Sequence, residues 1–384
     1  MTKKTAFKCT SIAGTFLLLM VCCSASANEE FDSPVYLPTR NLSPFFAKLR
    51  EGKPVVVMGI GGSVTEGESW APLSVEWLRK QNPGAQIQYV DGAYGGTPPW
   101  QTVFRLRRDV LPHHPDLVFI EYAVNSYDPK ERCWMALDGI LQQLLDQPQK
   151  PEIVFVYVGI RNGYGKLDRV QPVARYYGFP EVDARAFLQK KIEADEVKWQ
   201  DLFVDDVHPN KRGHSIYAEA VTEFLQKESE RVEITPAPLM PPPFKGAELA
   251  TATILPIASF QASREWKATA PPEWTGKFFD EIYVTDQPGA TLTVTADTTT
   301  MGLYLIQSAD SGQIEWSIDG STPKKINLWA TWLDRGSLYV RTFILVEGLP
   351  RGNHTLTVKV LPKSDKSEGN WIRIGGACVT NPKF

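Results

Sequence analysis

Residues 54–67 read PVVVMGIGGSVTEG, and their pattern predicts the fold of the first half of the chain. Its beginning, residues 54–60, is a short apolar run of the kind found in strands that are buried on both faces. Glycines follow at once and permit a tight turn. The next segment, residues 70–80, has the composition of a helix. A strand, a glycine turn and a helix in this order predict one unit of a parallel sheet covered by helices.

The same alternation continues along the chain. Further apolar runs predict strands at 86–90, 117–123 and 153–158, and helix-like stretches lie at 134–146, 183–194 and 213–227. We therefore predict an α/β fold with three layers, in which helices cover both faces of a parallel sheet. Ligand sites in such sheets form beyond the carboxyl ends of the strands. Polar residues that directly follow each strand are thus the candidates for function.

The second half of the chain has a different composition. Residues 235–244 read TPAPLMPPPF, and these prolines exclude a helix interior or a central strand. Beyond them, short alternating segments at 291–296, 301–306, 313–318, 337–345 and 355–361 predict an all-β sandwich or jelly roll. We therefore predict an α/β domain over residues 28–230, a proline-rich linker over 231–246 and a β domain over 247–384.

The N-terminus has the features of a signal peptide. Three lysines precede an apolar run at residues 12–23, and Ala25-Ser26-Ala27 supplies the small residues of a cleavage site. The run is shorter than the ~20 residues that a membrane-spanning helix needs. We therefore predict cleavage near Ala27, export to the periplasm or the extracellular space, and no membrane span in the mature chain.

Composition restricts the partners. The formal net charge of −3 becomes −6 once the three N-terminal lysines are removed, which gives no reason to expect a nucleic-acid partner. Cleavage leaves only Cys133 and Cys378, and because these fall in different predicted domains we expect free, buried thiols. No Cys/His cluster has the spacing of a metal site, so neither a metal nor another cofactor is expected.

Ser63 is the candidate nucleophile. It follows the first predicted strand within GGSVTEG, where a glycine turn would place its hydroxyl and backbone N–H at the carboxyl edge of the sheet, near a helix N-terminus. A plain strand-to-helix turn and a phosphate-binding loop are the alternatives. The segment has neither the G-x-G-x-x-G spacing nor the Gly-Lys-Ser of a phosphate loop, which disfavours the second.

His208 is the candidate base among the five histidines. It lies in DDVHPN just before a predicted helix, with Asp205 three residues earlier. This spacing lets a carboxylate accept a hydrogen bond from the imidazole Nδ1 and leaves Nε2 to take a proton. A glycine turn at Gly95-Gly96 and the amide of Asn125 follow the next two strands. Together with the Ser63 N–H they would form an oxyanion hole, in which each donor contributes ~3 kcal/mol.

These segments resemble the four blocks of the SGNH (GDSL-like) hydrolase superfamily. The matching segments are GGSVTEG at 61–67, DGAYGGT at 91–97, EYAVNS at 121–126 and DDVHPNKRGH at 205–214, and the resemblance covers about residues 55–225. It implies a flavodoxin-like fold. It also implies Ser63 as nucleophile, His208 as base and Asp205 as its orienting carboxylate, with Gly96 and Asn125 in the oxyanion hole; Gly95 is the alternative to Gly96.

The chain departs from the family pattern at two positions. Gly62 stands where the namesake motif has aspartate, and Ser126 follows Asn125 where aspartate is common. The second departure bears on how the Asn125 loop is held.

The resemblance implies a serine esterase, and we predict that it removes short acyl groups from a carbohydrate. The loop at 161–180 offers aromatic and hydrogen-bonding side chains, of which Tyr164, Arg175 and Tyr176 are the candidate substrate contacts; packing is the alternative role. Exported esterases with a β-sandwich companion often resemble carbohydrate esterases. One or two of the tryptophans in the β domain are expected to be exposed on its surface: Trp266, Trp274, Trp316, Trp329, Trp332 and Trp371.

The sequence is also compatible with two other functions. In the first, the chain is a lipase, lysophospholipase or thioesterase of the same superfamily, and its substrate carries a longer acyl chain. In the second, the chain is a glycan-binding protein with an inactive hydrolase-like domain. The presence of a complete catalytic set argues against this: Ser63, Asn125, Asp205 and His208.

Overall fold

The computed structural model describes residues 40–234, 239–329 and 337–381. The predicted signal peptide and Trp332 lie outside these residues. Within the described part of the chain, no helix is long and apolar enough to cross a membrane.

The first half of the chain forms a parallel sheet with helices on both faces. Between residues 40 and 234 the sheet has five strands in the order β2-β1-β3-β4-β5. The strands are β1 (Val55–Gly61), β2 (Ile87–Asp91), β3 (Leu117–Glu121), β4 (Glu152–Val156) and β5 (Glu181–Val182). The helices are α1 (Ser43–Arg50), α2 (Trp70–Gln81), α3 (Pro99–Asp109), α4 (Lys130–Leu145), α5 (Gln171–Tyr176), α6 (Ala184–Glu193) and α7 (Lys211–Ser229). The predicted three-layer α/β fold is confirmed.

Burial on both faces explains why these strands are continuously apolar. All five residues of β3 are buried. Alternate side chains point to opposite faces, so Phe119 packs with α1, α2, α6 and α7 on one face. Its neighbour Ile120 packs with α3 and α4 on the other.

The second half forms a sandwich of two antiparallel sheets, as predicted. In the described residues one sheet has the order β13-β12-β15-β10-β7 and the other β14-β11-β16-β9-β8, with β6 paired to β16. Leucine, isoleucine and valine side chains from both sheets fill the core between them. The strands are β6 (Thr253–Pro256), β7 (Phe260–Ala262), β8 (Lys267–Thr269), β9 (Ile282–Thr285), β10 (Thr291–Asp297), β11 (Met301–Ser308), β12 (Gln313–Ile318), β13 (Lys324–Asn327), β14 (Leu338–Val346), β15 (Asn353–Val360) and β16 (Ile372–Val379).

One hydrophobic cluster contains residues of both halves of the chain. The outer face of the β14-β11-β16 sheet, including Tyr304 and Val340, packs in the same cluster as Phe104 of α3 and Leu137 of α4. Helix α3 therefore lies between the parallel sheet and the sandwich, and Arg105 within it is fully buried. The domain limits at 230 and 246 stay a prediction.

Two smaller expectations are met by the described residues. Cys133 and Cys378 are buried free thiols. Among the five described tryptophans of the predicted β domain, Trp274 and Trp371 are exposed, with 48% and 39% of their surface accessible, whereas Trp266 and Trp316 are buried.

Candidate active site

Strand register brings the predicted blocks to one edge of the sheet. Gly59 of β1 pairs with Asp91 of β2, and Gly61 pairs with Glu121 of β3, so the three strands end side by side. Beyond the strands, the N–H of Tyr94 donates to the carbonyl of Gly61 over 3.1 Å. The turns that carry the predicted nucleophile, glycine block and asparagine therefore lie next to one another.

Ser63, His208 and Asp205 form a continuous chain of hydrogen bonds. The Oγ of Ser63 lies 2.9 Å from Nε2 of His208. Nδ1 of the same imidazole lies 2.7 Å from Oδ2 of Asp205. Because a carboxylate only accepts, it favours the tautomer with the proton on Nδ1, and Nε2 is then free to accept the Ser63 proton.

Backbone donors keep Asp205 ionised. Its Oδ1 accepts the N–H groups of His208 and Val207, each over 2.7 Å. The His208 N–H is the largest influence, followed by the His208 side chain, and together these bonds lower the pKa of Asp205 to about 2. The carboxylate therefore remains charged over the whole range in which a histidine base works.

The DDVHPN segment is held by a cap at the start of α7. The side chain of Asn210 accepts the N–H groups of Arg212 and Gly213. The N–H of Val204 donates to the carbonyl of His208 over 2.9 Å and closes the loop. His214, on the first turn of this helix, is half-buried, and this desolvation lowers its pKa to about 4 and keeps it neutral at physiological pH.

The hydrogen bonds of the glycine turn distinguish Gly96 from Gly95. The N–H of Gly95 donates to Oε2 of Glu66 over 2.9 Å. Among the described residues, the N–H of Gly96 has no acceptor, and Gly96 has a φ of +69°, where glycine is favoured. The geometry therefore favours Gly96 as the oxyanion donor.

The side chain of Asn125 lies against the α-carbon of Gly62. A Cβ at position 62 would lie 2.0 Å from Oδ1 of Asn125 and 2.4 Å from its Cγ. The Asn125 side chain therefore occupies the space into which any residue other than glycine would project. This packing explains the glycine at the first departure from the family pattern.

Arg169 holds the Asn125 loop at the second departure. Its guanidinium donates to the carbonyl of Ser126 over 2.9 Å and also to the carbonyl of Asp128. The N–H of Ser126 donates to the carbonyl of Tyr122 over 3.2 Å. An arginine from a distant loop thus fixes the loop at its backbone, and the sequence carried no signal for this contact.

A buried carboxyl group lies beneath the site and was not predicted. Glu121, the last residue of β3, is fully buried. Its Oε2 accepts the hydroxyl of Thr65 over 3.3 Å. Burial is the largest influence on the group and raises the pKa of Glu121 to about 7, partly offset by hydrogen bonds that include the N–H groups of Val124 and Ala123. Glu121 therefore connects the Ser63 turn to the start of the Asn125 loop.

The three predicted substrate contacts have partners of their own. Tyr164 donates its hydroxyl to the carboxylate of Asp183. Arg175 pairs with Glu181 at 3.2 Å. Tyr176 donates to the carbonyl of Pro242 over 2.9 Å. None of these bonds leads to Ser63 or His208, and their role in binding substrate stays a prediction.

The groups gathered at this edge are those used in acyl transfer. A hydroxyl, an imidazole and a carboxylate lie in hydrogen-bond contact, next to a side-chain amide and a backbone N–H. Within residues 40–234, 239–329 and 337–381, no group of three or more His, Cys, Asp or Glu side chains is placed to hold a metal ion.

The family comparison agrees with this set of groups. Residues 59–216 match the GDSL-like lipase/acylhydrolase family. The predicted resemblance is thereby confirmed, and so is the predicted enzyme class, a carboxylic ester hydrolase. No curated protein matches the chain in sequence.

Comparison with solved structures extends the likeness to the second half of the chain. A two-domain esterase active on acetylated mannans is 19% identical, and the match covers 89% of this chain and 95% of that one, with a TM-score of 0.79. The same description applies to a co-crystal with mannopentaose, with a TM-score of 0.77. A catalytic mutant of an acetylxylan esterase from Geobacillus stearothermophilus is 19% identical over 47% of this chain and 97% of that one, with a TM-score of 0.41. The two-domain fold is therefore shared with the first of these proteins.

Proposed function

We propose that this chain is an exported serine esterase that removes acetyl or other short acyl groups from a carbohydrate. The observation that carries the proposal is the hydrogen-bonded chain Ser63–His208–Asp205, with distances of 2.9 and 2.7 Å. The match to the GDSL-like family supports the reaction class.

The proposed mechanism is a two-step acyl transfer. Oγ of Ser63 attacks the ester carbonyl while Nε2 of His208 takes the serine proton. The N–H groups of Ser63 and Gly96 and the amide of Asn125 stabilise the oxyanion of the tetrahedral intermediate. Collapse of the intermediate breaks the bond between the carbonyl carbon and the sugar oxygen, and that oxygen takes the proton from His208 and leaves as a hydroxyl. Water then attacks the acyl-enzyme in the same way and releases the carboxylic acid.

The surroundings of the base favour a polar substrate. The side chains of His208 and Asp205 are 44% and 51% exposed, so the base lies at an open surface. Exposed ion pairs flank it, Arg161 with Asp206 and Lys211 with Glu68. A long acyl chain gains ~0.8 kcal/mol for each CH₂ group that it buries, whereas these ion pairs are polar and exposed, and the exposed Val204 is a small apolar neighbour beside them.

The two-domain neighbours support the carbohydrate assignment. The structures with TM-scores of 0.77 and 0.79 belong to an esterase active on acetylated mannans, and the match includes its second domain. We extend the substrate class, an acetylated polysaccharide, to this chain as part of the proposal. The predicted export rests on the lysines and apolar run of residues 1–27, and N-terminal sequencing of the processed protein tests it.

The decisive experiment compares two kinds of ester. The purified mature chain is incubated with acetylated mannan, acetylated xylan and p-nitrophenyl palmitate, and released acetate or nitrophenol is measured. The proposal predicts acetate release from a polysaccharide and no measurable hydrolysis of the palmitate. Preference for the palmitate would instead indicate a lipase or thioesterase.

Ser63→Ala is the matched control for that experiment. It removes only the attacking oxygen, so acetate release should fall by several orders of magnitude while the thermal unfolding midpoint stays close to that of the wild type. Activity retained by Ser63→Ala would overturn the assignment of the nucleophile. Inactivity of the wild type on every ester would favour a non-catalytic glycan-binding role.

A further inference from the structure

Two side chains of the sandwich reach the glycine turn of the candidate site. Tyr339, in β14, donates its hydroxyl to the carbonyl oxygen of Gly96. Lys277, which precedes β9, forms an ion pair with Oε1 of Glu66. The other oxygen of Glu66 accepts the N–H of Gly95 over 2.9 Å. The sandwich therefore contacts the turn directly through Tyr339 and indirectly through Glu66.

These contacts anchor the peptide groups on either side of the proposed oxyanion donor. The donor N–H belongs to the peptide that joins Gly95 to Gly96. The preceding peptide is held at its N–H by Glu66, and the following peptide is held at its carbonyl by Tyr339. Two successive glycines have the greatest backbone freedom of any residues, so the direction of the N–H between them depends on such anchors.

The anchor at the Gly96 carbonyl is closely packed. A Cβ on Gly96 would lie 3.1 Å from Cε2 of Tyr339 and 3.2 Å from its hydroxyl oxygen. A second hydroxyl, that of Tyr127, donates to the same carbonyl over 2.8 Å. A carbonyl oxygen can accept two hydrogen bonds, and these two tyrosines, one from each half of the chain and with their hydroxyls 3.1 Å apart, supply two donors.

We propose that Tyr339 is a positioning residue of the oxyanion hole, through which the sandwich sets the direction of a catalytic N–H in the α/β half. This inference rests on the proposed function. Preorganised donors stabilise the charge that develops in the transition state, and a misplacement of ~1 Å can cost ~10²-fold in rate. Tyr339 donates to the carbonyl of Gly96 and not to the oxyanion, so it acts only through Gly96.

The test is the variant Tyr339→Phe, which keeps the ring and removes the donor. Because Tyr127 still donates to Gly96, we expect kcat and kcat/KM for p-nitrophenyl acetate to fall together by ~10-fold, with KM within about twofold, as for a contact that matters only in the transition state. The affinity for an alkylboronic acid, which forms a tetrahedral serine adduct, should fall by the same factor.

A second variant extends the test. Tyr127→Phe combined with Tyr339→Phe removes both donors from the Gly96 carbonyl, and the loss should approach the ~10²–10³-fold typical of a missing oxyanion donor. Tyr283→Phe is the matched control, because its ring packs beside Trp266 within the sandwich. It should leave kcat and boronate affinity unchanged. Thermal unfolding of all variants verifies that they are folded.

The outcomes separate the inference from the proposed function. If the wild type hydrolyses no ester, the proposed function fails and the inference falls with it. If the wild type is active and both Tyr339 variants keep the wild-type kcat, the inference is overturned and the proposed function stands. An increase in KM alone, or a change in unfolding temperature without a change in kcat, also overturns it.

Discussion

Replacing Gly62 with alanine would insert a methyl group directly against the Asn125 amide. A Cβ at this position would lie 2.0 Å from Oδ1 and 2.4 Å from Cγ of Asn125. Non-bonded carbon atoms approach to ~3.5 Å at best, so the amide has to retreat by roughly 1 Å. A displacement of that size at a catalytic group costs ~10²-fold in rate. Complete loss of one oxyanion donor costs ~10²–10³-fold, so the rate loss of Gly62→Ala should not exceed this range.

The assay is steady-state hydrolysis of p-nitrophenyl acetate. We expect Gly62→Ala to lower kcat by ~10²-fold and to keep a cooperative thermal unfolding transition. Gly84→Ala is the matched control, since a Cβ at that position meets nothing within 4 Å. It should retain the wild-type kcat.

A double-mutant cycle shows whether the loss acts through Asn125. In the background of Asn125→Ala the amide is already absent and the new methyl group has room. Adding Gly62→Ala to that variant should therefore lower kcat by less than ~2-fold. Coupling of this kind is expected for residues in contact. A wild-type kcat for Gly62→Ala, or losses that simply multiply in the double variant, would refute the packing argument.

Three further predictions follow from the site and the shared core. Asp205→Asn should lower kcat by ~10³–10⁴-fold, because an amide no longer fixes the His208 tautomer. The control is Asp206→Asn, at the exposed neighbouring residue, and its kcat should stay near that of the wild type. Equal kcat values for the two variants would contradict the role of Asp205 in orienting His208. Because burial raises the pKa of Glu121 to about 7, the native state binds more protons than the unfolded chain above the ordinary Glu pKa, and stability falls as pH rises. Between pH 5 and pH 8, the free energy of unfolding should therefore decline by roughly 3 kcal/mol less in Glu121→Gln than in the wild type. Urea unfolding at both pH values measures this difference. A variant with the full wild-type pH dependence would show that the pKa of Glu121 is not raised. A fragment of residues 28–246 should aggregate or fail to unfold cooperatively, because it uncovers the apolar face of α3 and α4; a soluble fragment with a sharp melting transition would count against the shared core.

The sequence predicted the parallel sheet because its strands are covered on both faces. Strand β3, LVFIE, is buried at every position, and such runs are recognisable without an alternating pattern. Helix α3, PWQTVFRLRRD, was not predicted. Its arginines indicate an exposed segment, yet Arg105 is fully buried, donates to the carbonyl of Gly92 and stacks on Tyr94 at 4.0 Å. Helix α3 packs between the sheet and the sandwich, so its arginines are buried or half-buried instead of exposed, and composition alone does not reveal this position.

The candidate site was predictable where its residues follow strand ends or lie close in sequence. Asp205 and His208 are three residues apart, and Ser63 directly follows a strand turn, so local spacing was informative. The contact of Arg169 with the Asn125 loop joins segments about 40 residues apart. That of Tyr339 with Gly96 spans more than 200 residues. Such contacts are set by the tertiary fold and leave no local pattern.

Covalent labelling shows directly whether Ser63 is an activated nucleophile. The mature wild-type chain is treated with a fluorophosphonate probe, digested, and the modified peptide is located by mass spectrometry. We predict a single adduct on Ser63 that is absent from Ser63→Ala and strongly reduced in His208→Ala, because only a serine with a competent base reacts. A folded wild-type chain that takes up no probe, or that carries the adduct on another residue while Ser63→Ala still hydrolyses esters, would show that Ser63 is not the nucleophile.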